Sequence, residues 1–337
     1  MQINLVLTGG TIGSISDDNN ILNTNAKSHT SLVDSLYEIQ PSYKELVKFK
    51  LSSPINILSE NMTLNNLDSL MVHIKQIIDE DFIDNQSDGI IITHGTDTVA
   101  YTANLLAVLL YGVDIPVFLV ASSKPLSDPK ANGHANFKKS VDMIIEGAKP
   151  GVYVPYMNRD GHMYVHKASR LIQCRDLSPD LESCHHKLNN LANIHSQLIN
   201  AESTTSSEST TTPTPLIHNI KKLSGNILTI TPYPGLDYRN YDLDYVDAVL
   251  HRTYHSSTLA ADTGDDKFNS IFFLKGRCDQ KRIPIYFAPV LSDAKQVYES
   301  TYTIKKTGIT PLLDMTFEMS YIYLLLALMK DLPLSSS

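Results

Sequence analysis

Short, almost uninterrupted apolar runs alternate with longer, helix-like segments through the first 156 residues of the chain. Strands that are apolar on both faces are typical of parallel sheets covered by helices. The runs are INLVL (Ile3–Leu7), INIL (Ile55–Leu58), GIIIT (Gly89–Thr93), IPVFLV (Ile115–Val120) and GVYVPY (Gly151–Tyr156), and the helix-like segments are Asn61–Asp81, Thr98–Gly112 and His134–Gly147. The alternation predicts an α/β domain with a mainly parallel sheet flanked by helices.

A change of composition near residue 190 divides the chain, whose 337 residues are enough for two domains. The tract NAESTTSSESTTTPTP, Asn200–Pro215, has no hydrophobic periodicity, which indicates a mobile linker or surface loop. Beyond it GNILTITPYPG, VDAVLHRTYH and IPIYFAPV read as strands, and DDKFNSIFFLKGR and LLDMTFEMSYIYLLLALMKDL read as helices. We therefore expect a larger N-terminal domain over 1–190, a linker over 191–215 and a smaller C-terminal α/β domain over 216–337.

Charge and cysteine content exclude several classes of partner and cofactor. The formal net charge is −8, without basic clusters, so neither a nucleic-acid surface nor an anionic-membrane patch is indicated. The three cysteines lack CxxC spacing, so we expect no disulfide framework and no structural zinc. His185 and His186 adjoin Cys184, but no second ligand pair stands at metal spacing, and we expect no metal site. A small-molecule ligand fits this composition better.

Neither end of the sequence resembles an export or membrane segment. The first residues, MQINLVLTGG, contain no basic region and predict a strand rather than a secretory signal. The uncharged stretch Met319–Met329 is shorter than the ~20 residues that span a bilayer and predicts a buried helix. We expect the protein to be cytoplasmic.

The loop LTGGTIGS, Leu7–Ser14, follows the first predicted strand and carries three glycines. Its GGxxG spacing, with no lysine after it, departs from both the dinucleotide fingerprint and the P-loop, which disfavours a phosphate cradle. A plain turn that uses glycines for positive φ remains an alternative. However, Thr8 and Thr11 place hydroxyls at the carboxyl end of the strand, where open α/β sheets bind their ligands.

Two further loops carry hydroxyl or carboxyl groups after a predicted strand. Thr96 and Asp97 follow GIIIT, and Ser59 follows INIL. Each could be a helix N-cap and nothing more. Three loops of this kind, however, indicate a small-molecule site where they meet. We expect His94 to pack beneath the Thr96 loop.

A threonine nucleophile needs a base to take its proton. Lys167, in YVHKASRL, is a candidate because burial lowers the pKa of a lysine. The alternative for an isolated lysine is a solvated surface residue.

TGGTIG at the N-terminus and HGTDTVAYTA at residues 94–103 together resemble the paired signature of the bacterial L-asparaginase family, most of all its cytoplasmic type I branch. Further matches, SENMT, HKAS, TPYPG and DMTFE, extend the similarity along nearly the whole chain. The resemblance implies the asparaginase/glutaminase-like fold with a catalytic N-terminal domain. It also implies hydrolysis of L-asparagine to L-aspartate and ammonia without a cofactor.

Residue roles follow from the same resemblance. Thr11 would be the nucleophile that attacks the side-chain amide. Lys167 would be the base that activates Thr96, and Asp97 would bind the α-ammonium group of the substrate. These are complementary charges for an amino-acid ligand.

The resemblance also implies a set of substrate-binding residues. They are Gly10, Ser59, Glu60, Thr96, Asp97 and Ser122. Ser59 and Glu60 would face the α-carboxylate end, and the amides of Gly10 and Thr96 would be oxyanion donors. A homodimer or homotetramer is implied as well, because family sites lie between the N-terminal domain of one subunit and the C-terminal domain of its partner.

The chain departs from the family pattern at several places, among them ASSK (Ala121–Lys124) and ANG (Ala131–Gly133). Ile21 stands at the position of the lid tyrosine in an ungapped count, Glu60 replaces a small polar or amide side chain, and YHSST (Tyr254–Thr258) replaces a loop that contains Gly and Asn. Two alternatives therefore stay open. One is a glutaminase or amidotransferase-type amidohydrolase acting on another amide, and the other is a catalytically degenerate homologue that binds an amino acid.

Overall fold

The computed structural model describes residues 1–16, 22–24, 28–84, 87–186, 188, 191–200, 213–219, 222–262, 267–293 and 298–329. The lid position Ile21 and residues 201–212 of the expected linker lie outside the described residues. The chain divides into two compact units, residues 1–185 with 205–221 and residues 186–204 with 222–337.

The first unit is an α/β unit. Its strands are β1 (Gln2–Val6), β2 (Ser14–Ser16), β3 (Leu22–Thr24), β4 (Lys48–Ser52), β5 (Gly89–Thr93), β6 (Pro116–Val120), β7 (Gly151–Met157), β8 (Met163–Lys167), β9 (Leu171–Ile172) and β10 (Glu182–Ser183). Its helices are α1 (Ser28–Ile39), α2 (Tyr43–Leu46), α3 (Leu64–Asp84), α4 (Val99–Leu109) and α5 (Gly133–Ile145). The helices expected at Asn61–Asp81, Thr98–Gly112 and His134–Gly147 are confirmed as α3, α4 and α5.

Six strands form one sheet in the order β4-β1-β5-β6-β7-β8. All neighbours are parallel except β7 and β8, which pair antiparallel. Every residue of β5 and β6 is buried, because helices cover this part of the sheet on both faces. Leu32 of α1 and Phe137 of α5 belong to the core cluster on the Leu5 face of β1. The predicted α/β class with a mainly parallel sheet is therefore confirmed.

The edge strand of this sheet is not the segment that the sequence predicts. The apolar run INIL predicts a strand, but the strand beside β1 is β4, KFKLS, and Ile57 forms only a single bridge to Gly9. β4 lies at the sheet edge, where alternating lysines and apolar residues are common and continuous apolarity is not required. INIL instead leaves the sheet and runs along the glycine-rich loop.

The second unit contains a smaller parallel sheet. It has the helices α6 (Leu191–Asn200), α7 (Ile271–Lys281), α8 (Glu299–Lys305) and α9 (Phe317–Met329), and the strands β11 (Ile227–Ile230), β12 (Ala248–Arg252), β13 (Ile285–Val290) and β14 (Thr310–Leu313), paired in that order. α9 is the buried helix expected at the end of the sequence. In the described part of the chain, no helix combines the length and apolarity needed to cross a bilayer.

Part of the expected linker has regular structure. α6, which lies within residues 191–215, buries Ile194 and Leu198 in the second unit, and Leu216 and Ile217 are buried in the first unit. The boundaries at residues 190 and 215 stay a prediction.

Candidate active site

Three loops meet at the carboxyl ends of β1 and β5, and glycines permit the contact. Gly10 has φ +75°, and a β-carbon there would lie 2.4 Å from the backbone nitrogen of Gly95. A β-carbon on Gly95 would lie 2.3 Å from Ser59 Oγ. No larger residue fits at either position, so the glycines bring the two threonine-bearing loops and the Ser59 loop into direct contact.

The neighbouring strands explain why these loops converge. β1 and β5 are adjacent and parallel, so the segments that follow them emerge at the same edge of the sheet. The segment after β4 joins them through two backbone hydrogen bonds: Ile57 N donates to Thr8 O at 3.0 Å, and Gly10 N donates to Ile57 O at 2.7 Å. The three loops expected to meet at the strand ends therefore do so within the first unit.

Ser59 holds the Asp97 carboxylate in a fixed position. The buried Ser59 Oγ donates to Asp97 Oδ2 at 3.0 Å and accepts from Asp97 N at 3.3 Å. Thr98 Oγ1 also donates to Ser59 O at 3.0 Å. Asp97 itself is exposed, and no Lys, Arg or His of the described residues forms an ion pair with it. A positioned carboxylate without a cation partner is suited to bind an ammonium group.

The hydroxyl groups of Thr11 and Thr96 have no hydrogen-bond partner among the described residues. Both residues are half-buried, and each follows the glycine that makes the loop contact, Gly10 or Gly95. Hydroxyls that the fold leaves unoccupied are able to contact a ligand or act on it.

The backbone N–H groups of the Thr11 and Thr96 loops differ in whether they are free to bind a ligand. The Gly10 N–H donates to Ile57 O, so it is not available as the expected oxyanion donor. The N–H groups of Thr11 and Thr96 have no acceptor within the part of the chain that the structure describes. These two amides, rather than that of Gly10, are the candidates for binding a ligand oxygen.

His94 lies fully buried beside the Thr96 loop, as the sequence predicts. Its Nδ1 lies 2.8 Å from Gly95 O, and its Nε2 lies 2.9 Å from Thr102 Oγ1. Desolvation by burial lowers the pKa of His94 from its ordinary value, which keeps the ring neutral.

Gln173 and Cys174 also lie beside the loop that carries Thr96 and Asp97, although nothing in the sequence predicts them there. Gln173 Nε2 donates to Asp97 O, and Cys174 Sγ lies 4.0 Å from Thr96 O. Burial, and to a smaller extent the Asp97 charge, raise the pKa of the Cys174 thiol, so it is a weak S–H donor and not a thiolate. Both residues follow the matched HKAS motif, but only the three-dimensional structure places them beside Asp97.

The structure does not bring Lys167 to these loops, so no contact supports the base role expected for it. Lys167 pairs with Tyr153, Tyr153 with Phe118, and Phe118 with Ile91 of β5. Three strand spacings therefore separate Lys167 from Ile91, about 14 Å across the sheet. β8 runs antiparallel to its neighbour β7, so its last residue, Lys167, lies level with the middle of β5. It does not lie at the carboxyl edge of the sheet, where Thr96 is found. The side chain of Lys167 is exposed and forms no hydrogen bond or ion pair with any described residue, as its alternative interpretation predicts.

Ser122 and Glu60 also occupy environments that the sequence could not specify. Ser122 is fully buried, and its Oγ donates to Lys124 O and lies 3.4 Å from Asn132 Oδ1. That hydroxyl shapes the loop after β6 and is not open to a ligand. Glu60 is exposed next to Ser59. No group of His, Cys, Asp and Glu in the described residues is arranged to hold a metal ion.

A comparison with known protein families identifies the family of this chain. A family model described as Asparaginase, N-terminal, matches residues 2–205. The chain belongs to the asparaginase family. This membership confirms the family part of the resemblance carried by the two threonine motifs.

Relatives of this asparaginase-family chain include proteins of two names. A glutamyl-tRNA(Gln) amidotransferase subunit of Methanococcus maripaludis is 32% identical over 165 residues, which are 49% of this chain and 37% of that relative. The protein of the same name from Methanosphaera stadtmanae is 25% identical over 97% of this chain and 72% of the relative. An L-asparaginase of Thermococcus kodakarensis is 34% identical over 106 residues, 30% of this chain and 31% of that protein. The alignments thus cover only about a third of the length of two of these three curated relatives.

Solved asparaginase structures share the fold. L-asparaginase I from Vibrio cholerae superposes with a TM-score of 0.67 at 21% identity, over 98% of this chain and 94% of that one. A probable cytoplasmic L-asparaginase from Campylobacter jejuni gives 0.67 at 20% identity, over 100% and 96%. The fold is therefore that of the two-domain asparaginases.

Proposed function

We propose that the protein hydrolyses the side-chain amide of L-asparagine to L-aspartate and ammonia. The observation that carries the proposal is the Asp97 carboxylate, held by buried Ser59, exposed, and without a cation partner among the described residues. Beside it stand the unoccupied hydroxyls and amides of Thr11 and Thr96. An amino acid with a side-chain carbonyl presents the groups that complement this arrangement.

In the proposed reaction, Asp97 binds the α-ammonium group, and the Thr96 N–H donates to the amide oxygen of the side chain. Thr11 Oγ attacks the amide carbon, the hydroxyl proton of Thr11 passes to the amide nitrogen, and that nitrogen leaves as ammonia, so that an ester joins Thr11 to the substrate. Water then hydrolyses the ester and frees Thr11 and aspartate. The backbone donor is already oriented before reaction, so it stabilises the oxyanion without reorganisation. Lys167 takes no part in this scheme, because its place on β8 keeps it away from Thr96.

A specific observation favours each of two alternatives. Relatives named as amidotransferase subunits support an amidohydrolase that acts on glutamine or another amide. The absence of a lysine beside Thr96 and Asp97, among the described residues, supports a homologue that binds an amino acid without turnover.

One experiment separates the three possibilities. Purified protein is assayed for ammonia release from asparagine, glutamine and simpler amides, and its melting temperature is measured with and without L-aspartate. Turnover of asparagine supports the asparaginase, and preferential turnover of glutamine or another amide supports the first alternative. A rise in melting temperature with aspartate, without release of ammonia from any amide, supports the binding protein. Thr11→Ala is the control, since it removes the nucleophile and leaves Asp97 and Ser59 in place.

Membership of the bacterial type I branch, a cytoplasmic location and a homodimer or homotetramer belong to the same proposal. The likeness to the structure titled L-asparaginase I supports the first, and the likeness to the structure titled as a probable cytoplasmic L-asparaginase supports the second. Sedimentation of the purified protein measures the third. The proposed chemistry requires no cofactor, because the nucleophile and the oxyanion donor both come from the chain.

A further inference from the structure

The Gly95–Thr96 peptide has a direction that follows from one contact. In a trans peptide the carbonyl of the first residue and the N–H of the second point in opposite directions. This peptide is trans, and Gly95 O lies 2.8 Å from His94 Nδ1. The Thr96 N–H therefore points away from the His94 ring. Among the described residues, this N–H has no hydrogen-bond acceptor.

The tautomer of His94 follows from its two partners. Gly95 O can only accept a hydrogen bond, so Nδ1 carries the proton. Nε2 is then an acceptor, and Thr102 Oγ1 donates to it at 2.9 Å. His94 and Thr102 are both fully buried, so water does not compete for either bond.

The adjacent peptide of the loop is held from both sides, whereas the Gly95–Thr96 peptide is held from one. Thr96 O faces Cys174 Sγ, and Asp97 N donates to Ser59 Oγ. For the Gly95–Thr96 peptide, His94 is the hydrogen-bond partner among the described residues. A flip of this peptide changes ψ of Gly95 and φ of Thr96 together, and glycine leaves the first of these two angles unrestricted. A flip would turn Gly95 O, instead of the Thr96 N–H, towards the ligand.

We propose that His94 is a positioning residue: through its bond to Gly95 O it sets the direction of the Thr96 N–H that binds the side-chain oxygen of the ligand. The ligand part of this inference rests on the proposed function. His94 touches no ligand and acts through the peptide. The ring therefore governs recognition of the side-chain oxygen and leaves the Asp97–ammonium contact unaffected.

Two substitutions divide the functions of the ring. His94→Asn places an amide N–H near the position of Nδ1 and keeps a donor for Gly95 O, whereas His94→Gln places its amide near Nε2 and keeps only the Thr102 contact. His251 offers a matched control in the second unit: it is fully buried, Nδ1 lies 2.7 Å from Arg252 O, and Nε2 lies 2.8 Å from Tyr238 Oη. His251→Gln thus makes the same chemical change at a second buried histidine with the same kinds of hydrogen-bond partner.

The measurement compares binding of L-aspartate and L-2-aminobutyrate by calorimetry. The two ligands share the α-ammonium and α-carboxylate groups, but only aspartate has side-chain oxygens. We expect His94→Gln to weaken aspartate binding at least about tenfold, the effect of losing one hydrogen bond to a charged group, with little change for 2-aminobutyrate. His94→Asn and His251→Gln should retain the wild-type preference. Equal weakening of both ligands in His94→Gln, or an unchanged preference, would overturn the proposal.

A crystal structure of His94→Gln tests the same inference without any ligand or turnover. A Gly95–Thr96 peptide that flips or becomes disordered in this variant, and keeps its direction in His94→Asn, supports the positioning role. A peptide with its wild-type direction in His94→Gln overturns it. If the wild-type protein binds neither ligand, the proposed function fails while the crystal structure still decides the role of His94. If His94→Gln does not fold, His94→Leu, which also offers no donor to Gly95 O, takes its place in both measurements.

Discussion

Ser59 and Asp97 exchange two hydrogen bonds: Ser59 Oγ donates to Asp97 Oδ2 at 3.0 Å and accepts from Asp97 N at 3.3 Å. Ser59→Ala removes both and leaves the carboxylate without its fixed orientation. We expect the free energy of unfolding to fall by about 1 kcal/mol and the affinity for aspartate to fall about tenfold. Denaturant unfolding and calorimetry measure the two effects. A variant that loses stability but keeps full affinity would show that Ser59 supports the fold and not the ligand.

Gly10 is expected to tolerate no side chain. Gly10→Ala places a β-carbon 2.4 Å from Gly95 N at φ +75°. Gly147 is the matched control, since it has φ +76° and no atom within 4 Å of the added carbon. Positive φ alone costs an alanine about 1–2 kcal/mol, so Gly147→Ala should lose about that much stability and Gly10→Ala clearly more. Equal losses in the two variants would contradict the close contact of the loops.

Thr11 and Lys167 should respond differently to substitution. Thr11→Ala is expected to abolish ammonia release from asparagine without unfolding the protein, because the nucleophile is lost. Lys167→Met should keep nearly all activity, since Lys167 is exposed and pairs with Tyr153 on β8, away from Thr96. Steady-state rates of both variants, with circular dichroism as the check on folding, measure this. Loss of turnover in Lys167→Met would restore the role that the sequence resemblance implied.

The difference between Thr11 and Lys167 shows which parts of the candidate site could be predicted from the sequence. Thr11, Thr96 and Asp97 follow strands that are strongly apolar, so their position at one sheet edge could be predicted from periodicity and from the parallel arrangement of such strands. Lys167 lies on the antiparallel edge strand, where direction and register decide whether a side chain reaches the site. Neither can be inferred from a local motif.

The hydrogen-bond partners were beyond prediction for a related reason. Gly10 N is an expected oxyanion donor, but it bonds to Ile57 O because INIL leaves the sheet, and β4 takes the place expected for it. Ser122 similarly turns its hydroxyl to Lys124 O. The first contact joins two segments that are distant in the sequence, and the second lies within a single tight loop. Residue type alone predicts neither.

Glu60 offers a test of charge in the α-carboxylate region. It is exposed beside Ser59, and its negative charge should repel the carboxylate of an amino acid. Glu60→Gln is therefore expected to improve the affinity for asparagine about two- to fivefold, the range of a screened surface interaction. Glu38→Gln on α1, also exposed, makes the same change in net charge and should have no effect. An unchanged or weaker affinity in Glu60→Gln would count against this placement of the carboxylate.

His251 should make stability depend on pH in the mildly acidic range. Burial lowers the pKa of His251 to about 4. In the unfolded chain the same ring has a pKa near its ordinary value of about 6.5. The unfolded state therefore binds more protons below about pH 6.5, and stability falls as the pH decreases towards 4. Between pH 6.5 and 5 this histidine should account for a loss of about 1.5 kcal/mol, which urea unfolding of the wild type measures. In His251→Gln that part of the slope should disappear, while above pH 7 the two slopes should coincide. Identical slopes below pH 6.5 would show that His251 does not remain neutral in the folded protein.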